Sequence, residues 1–478
     1  MKKFSIYIIA IILVLSNLFI VSDVSAASSL DQTVKSNLGT KNISVSLRSL
    51  QTGNVLYEYN GDYGVKPAST LKLLTAATAL EVLGPNYRFK TEVYVDGDIE
   101  NNVLKGDLYI KGGGDPTLQK ENFLTFAVAL KRNGIRTITG NVYGDDYAFA
   151  GSQLTPGIYP EDESYYYAPR ITALTMSPND DYDAGTMIVN VKPTTIGKAA
   201  NYTAEPNTSG MRIVNKSKTV NRGQKNTIKI ERKYRTNQII ITGNIPLGST
   251  SREWVTLYDP TINTLHALKT TVEGTGIKFS KTTSLTRKAV PSDARLIYTK
   301  QSIPLKTLMV PFMKLSNNSI ADILVKTMGR EVHGEGSTAN GLKVLKTYGD
   351  SIGLHMDEWS FEDGSGMSHK NKVSANELSL LLLKVRQEPN YKLFKSSLPI
   401  GGERNRLVGG SLKNRFTAAS YKNRVVAKTG SITGVYTLSG YVTGKSGRMY
   451  AFTIMTQYQP SVKINQIDTV VKKIISLY

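Results

Sequence analysis

Ser69 and Lys72 stand three residues apart in Ser69-Thr70-Leu71-Lys72, the one Ser-x-x-Lys of the chain. Residues i and i+3 share a helix face, so the lysine amine can reach the serine hydroxyl. A neutral amine there can take the hydroxyl proton and make serine a nucleophile without histidine. Keeping that lysine neutral needs burial or a second cation nearby. Lys428 is the candidate for the second cation. It opens Lys428-Thr429-Gly430, the one Lys-Thr-Gly present, and Ser431 follows. Between these two motifs lies Ser316-Asn317-Asn318. Each motif alone has a plain structural reading: Ser69 as a helix cap with a solvated lysine after it, or Ser-x-Asn as a turn. Ser177-Pro178-Asn179 and Ser374-Ala375-Asn376 repeat the Ser-x-Asn pattern elsewhere. The order along the chain is what gives the three weight together.

These residues need elements to hold them. Pro67 marks the start of a helix from about Ser69, whose Leu71, Leu73, Leu74, Ala76, Ala77 and Leu80 favour that state. Free N–H groups at such a start favour a developing oxyanion at Ser69. Upstream, Ile43, Val45 and Leu47 alternate with polar residues, and Thr52-Gly53 turns the chain into Val55-Leu56-Tyr57, a hairpin. Near the other end, Val425-Val426 leads into the Lys428 motif, and Leu438–Val442 and Tyr450–Met455 flank a Gly444-Lys445-Ser446-Gly447 turn. A helix over Ala321–Met328 follows Ser316, and Ile464, Ile467, Val471 and Ile474 predict a closing amphipathic helix. Strands at both ends with helices beside them predict an α/β domain whose sheet joins the two termini. From 88 to 284 the chain is rich in Gly, Thr, Tyr and Asn in short alternating runs such as Thr91–Val95, Leu108–Ile110 and Ile239–Ile241. Asp96-Gly97 and Gly112-Gly113-Gly114-Asp115-Pro116 read as turns between them. The expectation is a mostly β insertion of one or two subdomains within a domain formed by 27–87 and 285–478.

Composition narrows the class. The chain has 478 residues, no cysteine, 59 Lys+Arg against 38 Asp+Glu, and a formal charge of +21. Disulfides, thiolate metal sites and a cysteine nucleophile are excluded. Four histidines form no His-x-x-x-His pair and His333-Gly334-Glu335 is too generic for a ligand set, so no metal or cofactor is expected. A basic surface seeks polyanions. Lys2-Lys3, the apolar run Phe4–Val21 and Val24-Ser25-Ala26 read as a signal peptide over 1–26 cleaved near Ala26, with an uncleaved anchor as the other reading. Cleavage would leave +20 and an exported, wall-associated or secreted protein, for which nucleic acid is not the expected partner. An anionic wall polymer or membrane face is.

The order Ser-x-x-Lys, Ser-x-Asn, Lys-Thr-Gly resembles the signature of serine penicillin-recognising enzymes. The 247 residues between Ser69 and Ser316, against 112 from Ser316 to Lys428, sharpen this. The chain closely resembles the low-molecular-mass class C penicillin-binding proteins, the S13-type D-alanyl-D-alanine carboxypeptidases, which carry inserted domains at that place. Gly106–Ile110 through Gly114–Leu118, Ser177–Asp180 and Asp363-Gly364-Ser365-Gly366-Met367-Ser368 extend the likeness over nearly all of the mature chain. Asn317, where many relatives have Asp, departs from it. The resemblance implies Ser69 as nucleophile, Lys72 as general base, Lys428 as the cation favouring neutral Lys72, and Ser316 as proton relay to the leaving amine. It implies Asn318, Thr429, Gly430 and Ser431 as substrate-binding positions, with the Ser69 and Ser431 N–H groups as oxyanion hole. The implied activity is D-Ala-D-Ala carboxypeptidase, with endopeptidase activity open, and β-lactams acylating Ser69. A non-catalytic wall-binding or β-lactam-sensing protein is the alternative. Stem peptides carry a free amine, and Asp145 and Asp146 are candidates to recognise it.

Overall fold

The computed structural model describes residues 26–478; the segment read as a signal peptide lies, but for Ala26, outside the described residues. The chain divides into two compact units. One holds residues up to 73, 349–360 and 370–478; the other holds 74–348 and 361–369.

The first unit is built on a five-stranded antiparallel sheet. Its strand order is Val425–Ile432, Val435–Thr443, Met449–Gln457, Ile43–Ser49, Val55–Tyr59. The N-terminal hairpin therefore pairs directly with the C-terminal one, Ile43 opposite Thr456 and Val45 opposite Ile454. Alternation decides the two faces. Ile43, Val45, Leu47, Leu438, Val442, Phe452 and Ile454 point into one apolar core with Leu30, Val34 and Leu38 of the helix over 26–38. Ile467, Val471 and Ile474 of the Ile464–Leu477 helix join that core, whereas Ile464 at the helix start is exposed. The opposite face presents small hydroxyls, which let the Ala375–Val385 helix lie close. Ser46 Oγ meets Ser379 Oγ at 2.9 Å, and the Ala375 N–H donates to Ser44 Oγ at 3.0 Å.

The second unit contains a seven-stranded mixed sheet and three small sheets. Its core runs from Val93, Leu108 and Ile110 to Ile239, Ile241, Leu265 and Leu268. The insertion is mostly β, and the structure adds detail to the expectation. The insertion does not close at 284, because the Arg295–Gln301 strand pairs antiparallel with Lys90–Glu100. Two helices, Asn122–Arg132 and Pro260–Glu273, sit among the strands. Asp96-Gly97 is no turn: the Lys90–Glu100 strand runs through it, and the reversal falls at Asn101 and Asn102, both left-handed (φ 50° and 65°). Asn tolerates that conformation, which makes the Asn-Asn pair the tight turn. The helices Leu305–Lys314, Asn318–His333 and Thr338–Ser351 follow the insertion, the last of them crossing into the first unit.

Candidate functional site

The expected helix at Ser69 starts with a 3-10 turn, Ala68–Leu71, and continues as α-helix Lys72–Val82. Ala68 holds a left-handed φ of 47°, a strained conformation for a residue with a Cβ. The turn is pinned through one carbonyl. Pro67 O accepts from Thr70 Oγ1 at 2.6 Å and from Thr437 Oγ1 of the sheet at 2.8 Å. Ser69 is buried but keeps 8% of its surface exposed, while Lys72 is fully buried. Lys72 Nζ donates to Ser69 Oγ at 2.9 Å.

Lys428 lies on the Val425–Ile432 edge strand and is also fully buried. Its ammonium donates to Thr429 O at 2.7 Å. Burial first, and then the charge of Lys72, hold Lys428 well below the usual lysine range. Two amines under that mutual influence hold fewer than two protons easily, so one of them is available as a base. Gly430 makes the approach of strand and nucleophile turn possible. A Cβ there would lie 2.1 Å from Thr437 Oγ1 and 2.9 Å from both Pro67 O and Ser69 N. Only glycine lets the backbone run beside the Ser69 amide. The first half of this edge strand is covered: Gly401 N–H donates to Val425 O at 2.8 Å and Ala427 N–H to Pro399 O at 3.0 Å. The half from Lys428 to Ile432 carries the Lys-Thr-Gly motif. There the Thr429 hydroxyl meets Ser411 Oγ at 2.6 Å. Ser411, on a short 3-10 turn over Gly410–Leu412, carried no signal in the sequence.

The second unit carries the Ser-x-Asn motif. Ser316 sits between two helices with a left-handed φ of 62°. Asn317 caps the Asn318–His333 helix, its Oδ1 accepting from Ile320 N–H at 3.0 Å and Ser319 Oγ at 2.8 Å. Its Nδ2 donates to Asp181 O and to Asp183 Oδ1. Asparagine can accept and donate at once, as this position requires. Asn318 Nδ2 donates to Tyr167 O at 2.7 Å, fastening the tyrosine-rich segment 163–168. Lys314, two residues before Ser316, is buried and lowered by burial to about 8. The Asp363–Ser368 stretch folds on itself through Asp363, which accepts from Gly366 N–H and Ser368 N–H. Asp322 and Thr75 hold its Gly364 backbone.

The structure thus brings Ser69, Lys72, Lys428, Thr429, Gly430 and Ser431 together in one unit and places Ser316 and Asn318 in the other. The other Ser-x-Asn matches are structural: Ser374 caps the Ala375–Val385 helix, and Ser177 Oγ donates to Pro116 O. Asp145 and Asp146 lie in the second unit. Both are buried. Asp145 accepts from Tyr147 N–H at 3.2 Å and Val290 N–H at 3.0 Å. Asp146 accepts from Thr261 Oγ1 at 2.6 Å and pairs with Arg287, which also binds Asp259. Their carboxylates fasten a turn to neighbouring chain.

Comparison with known proteins agrees with this geometry. The model of the D-Ala-D-Ala carboxypeptidase 3 (S13) family matches residues 26–474. A D-alanyl-D-alanine carboxypeptidase of Actinomadura sp. is 35% identical over 408 residues, 84% of this chain and 75% of the relative. Penicillin-binding protein 4 (dacB) from Haemophilus influenzae superposes with a TM-score of 0.78 at 21% identity, over 93% of this chain and 97% of that one. The same protein complexed with a β-lactam gives 0.73 at 22% identity over the same shares. These two likenesses speak for the fold.

Proposed function

The chain belongs to the D-Ala-D-Ala carboxypeptidase 3 (S13) family, and we propose that it is a serine D-alanyl-D-alanine carboxypeptidase of cell-wall peptidoglycan acting through an acyl-enzyme on Ser69. The observation that carries this reading is the 2.9 Å bond from a fully buried Lys72 amine to the Ser69 hydroxyl. In acylation the Ser69 Oγ forms a bond to the carbonyl carbon of the penultimate D-alanine as its proton passes to neutral Lys72. The C–N bond then breaks, and the departing amine of the terminal D-alanine takes that proton. Ser316 is assigned the relay of this proton by its place in the family's motif. Water then attacks the ester, gives its proton to the same base and frees Ser69. Lys72 and Lys428 disfavour each other's protonation, so with the shared proton on Lys428, Lys72 is the neutral base and Lys428 attracts the terminal carboxylate. Thr429 hydrogen-bonds that carboxylate, and the Ser69 and Ser431 N–H groups stabilise the oxyanion. Asn318 is assigned the acyl side of the substrate. No metal or cofactor enters any step.

Finer assignments rest on the same chemistry. A β-lactam imitates the D-Ala-D-Ala end, acylates Ser69 and leaves slowly, since the scheme has no dedicated deacylation base. Endopeptidase action needs only a cleft that admits a larger leaving group. The first 26 residues direct export, and the basic surface retains the protein at an anionic wall or membrane face. Purified protein incubated with labelled penicillin and with a D-Ala-D-Ala peptide tests the reading against Ser69→Ala. The variant should lose both labelling and D-alanine release. Retention of both would sink the mechanism, and labelling without release in the wild type would make the protein a sensor.

A further inference from the structure

Positive charge is not spread evenly over this chain. Residues 192–252 carry twelve Lys and Arg against two acids, Glu205 and Glu231, so a net +10 of the total +21 falls on this stretch. Both acids are already engaged: Glu205 pairs with Lys120 at 2.6 Å, and Glu231 accepts from the Tyr165 hydroxyl. Eleven of the twelve cations are exposed; Arg232 alone is buried, on Glu163. The backbone gathers several of them. Lys216 and Lys218 are exposed while Ser217 and Thr219 between and after them are buried, an alternation that sets the two lysine Cα atoms about 7 Å apart. Lys198 is drawn beside them, because Thr219 N–H donates to Lys198 O at 2.8 Å and Gly197 N–H to Thr219 O at 2.9 Å. Arg222 and Lys225 follow before the Lys229–Arg232 strand, and Lys233 and Arg235 lie on the turn beyond its other end. From 206 to 230 there is no acidic residue at all.

We propose that this lobe is a docking surface for a flexible polyanion bearing repeated phosphodiester groups, and that it holds the enzyme beside its substrate. The inference rests on the wall-peptidase reading for its purpose but not for its chemistry. Lysine and arginine ammonium and guanidinium groups at polymer spacing displace counterions from such a chain, which makes binding strong at low salt and weak at high salt. A bilayer fits less well. The cations sit on both sides of the Lys229–Arg232 strand, at a spacing that a flexible chain can follow. The stretch does expose the large apolar side chains of Ile196, Tyr202 and Tyr234, so a lipid surface is the competing occupant that the vesicle arm of the test must reject.

The test uses the mature protein and a variant with Lys198→Gln, Lys216→Gln, Lys218→Gln and Arg222→Gln. A control variant changes four exposed lysines elsewhere to Gln: Lys281, Lys346, Lys392 and Lys445. The probes are poly(glycerol phosphate) chains and phosphatidylglycerol-containing vesicles. The lobe variant should bind the polymer at least about tenfold more weakly than wild type at low salt, with a shallower salt dependence. The control variant should keep wild-type affinity, and all three should release D-alanine from a soluble peptide at the same rate. Equal loss in both variants would reduce the surface to net charge and overturn the proposal. So would undiminished polymer binding by the lobe variant, or vesicles that bind the wild type more tightly than the polymer does. Loss of peptide hydrolysis in all three would bear on the enzyme reading instead.

Discussion

Lysine is used in two opposite ways in this molecule. In the five-stranded-sheet unit, Lys72 and Lys428 are fully buried and one bonds directly to the nucleophile. In the lobe over 192–252, the lysines stand exposed to solvent. Desolvation makes the first pair poor proton holders and hence chemical groups; hydration leaves the second set as fixed charges. The difference lies in backbone placement. One pair sits on a helix and a strand that glycine allows to touch, the other on short strands and loops that alternate outward.

The comparison can be broken most severely at its buried end. Lys72→Met keeps the volume and removes the base, and acylation of Ser69 should slow by about a thousandfold or more, as measured by the rate of penicillin labelling. Gly430→Ala tests whether the close approach is required. A Cβ at 2.1 Å from Thr437 Oγ1 forces strand and nucleophile turn apart. D-alanine release should fall by about a hundredfold and stability by about 1–3 kcal/mol in denaturant titration. Burial depresses Lys428, so the folded state releases a proton that the unfolded chain keeps up to its normal lysine range. The unfolded state therefore binds more protons between those limits, and stability rises with pH across that window. Lys428→Met should flatten that rise in pH-dependent unfolding curves. Acylation by the wild type should likewise weaken as pH falls and the buried amines fill with protons.

Much of the site was legible because its information is local. Ser69 and Lys72 are one helical turn apart, and the Lys428 motif is three consecutive residues. The sheet joining N- to C-terminal hairpins could be read from alternation in Ile43–Leu47 and Leu438–Val442. What escaped depends on partners distant in sequence. Nothing near Asp146 announces its partners Thr261 and Arg287, more than a hundred residues away. The Arg295–Gln301 strand belongs to the insertion only through its pairing with Lys90–Glu100. Ser411 meets Thr429 across a turn whose conformation no pattern reports. The two helices within the insertion were masked by a composition that favours strands.

At the other end of the comparison the expected effects are smaller and structural. Arg287→Ala leaves Asp146 and Asp259 without their cation, which should cost about 1–3 kcal/mol of stability. Activity on a D-Ala-D-Ala peptide, measured well below the unfolding temperature, should stay within about twofold of wild type. A selective rise in KM for amine-bearing peptides would assign a ligand role to that carboxylate.

The central claim is that Ser69, activated by Lys72, forms the covalent bond. The most direct measurement is mass spectrometry of the intact protein and of its peptides after brief exposure to penicillin. The account predicts one adduct per chain, located on the peptide containing Ser69, absent in Ser69→Ala and much slower to form in Lys72→Met. An adduct on any other residue, or one that persists at full rate in Ser69→Ala, would contradict it.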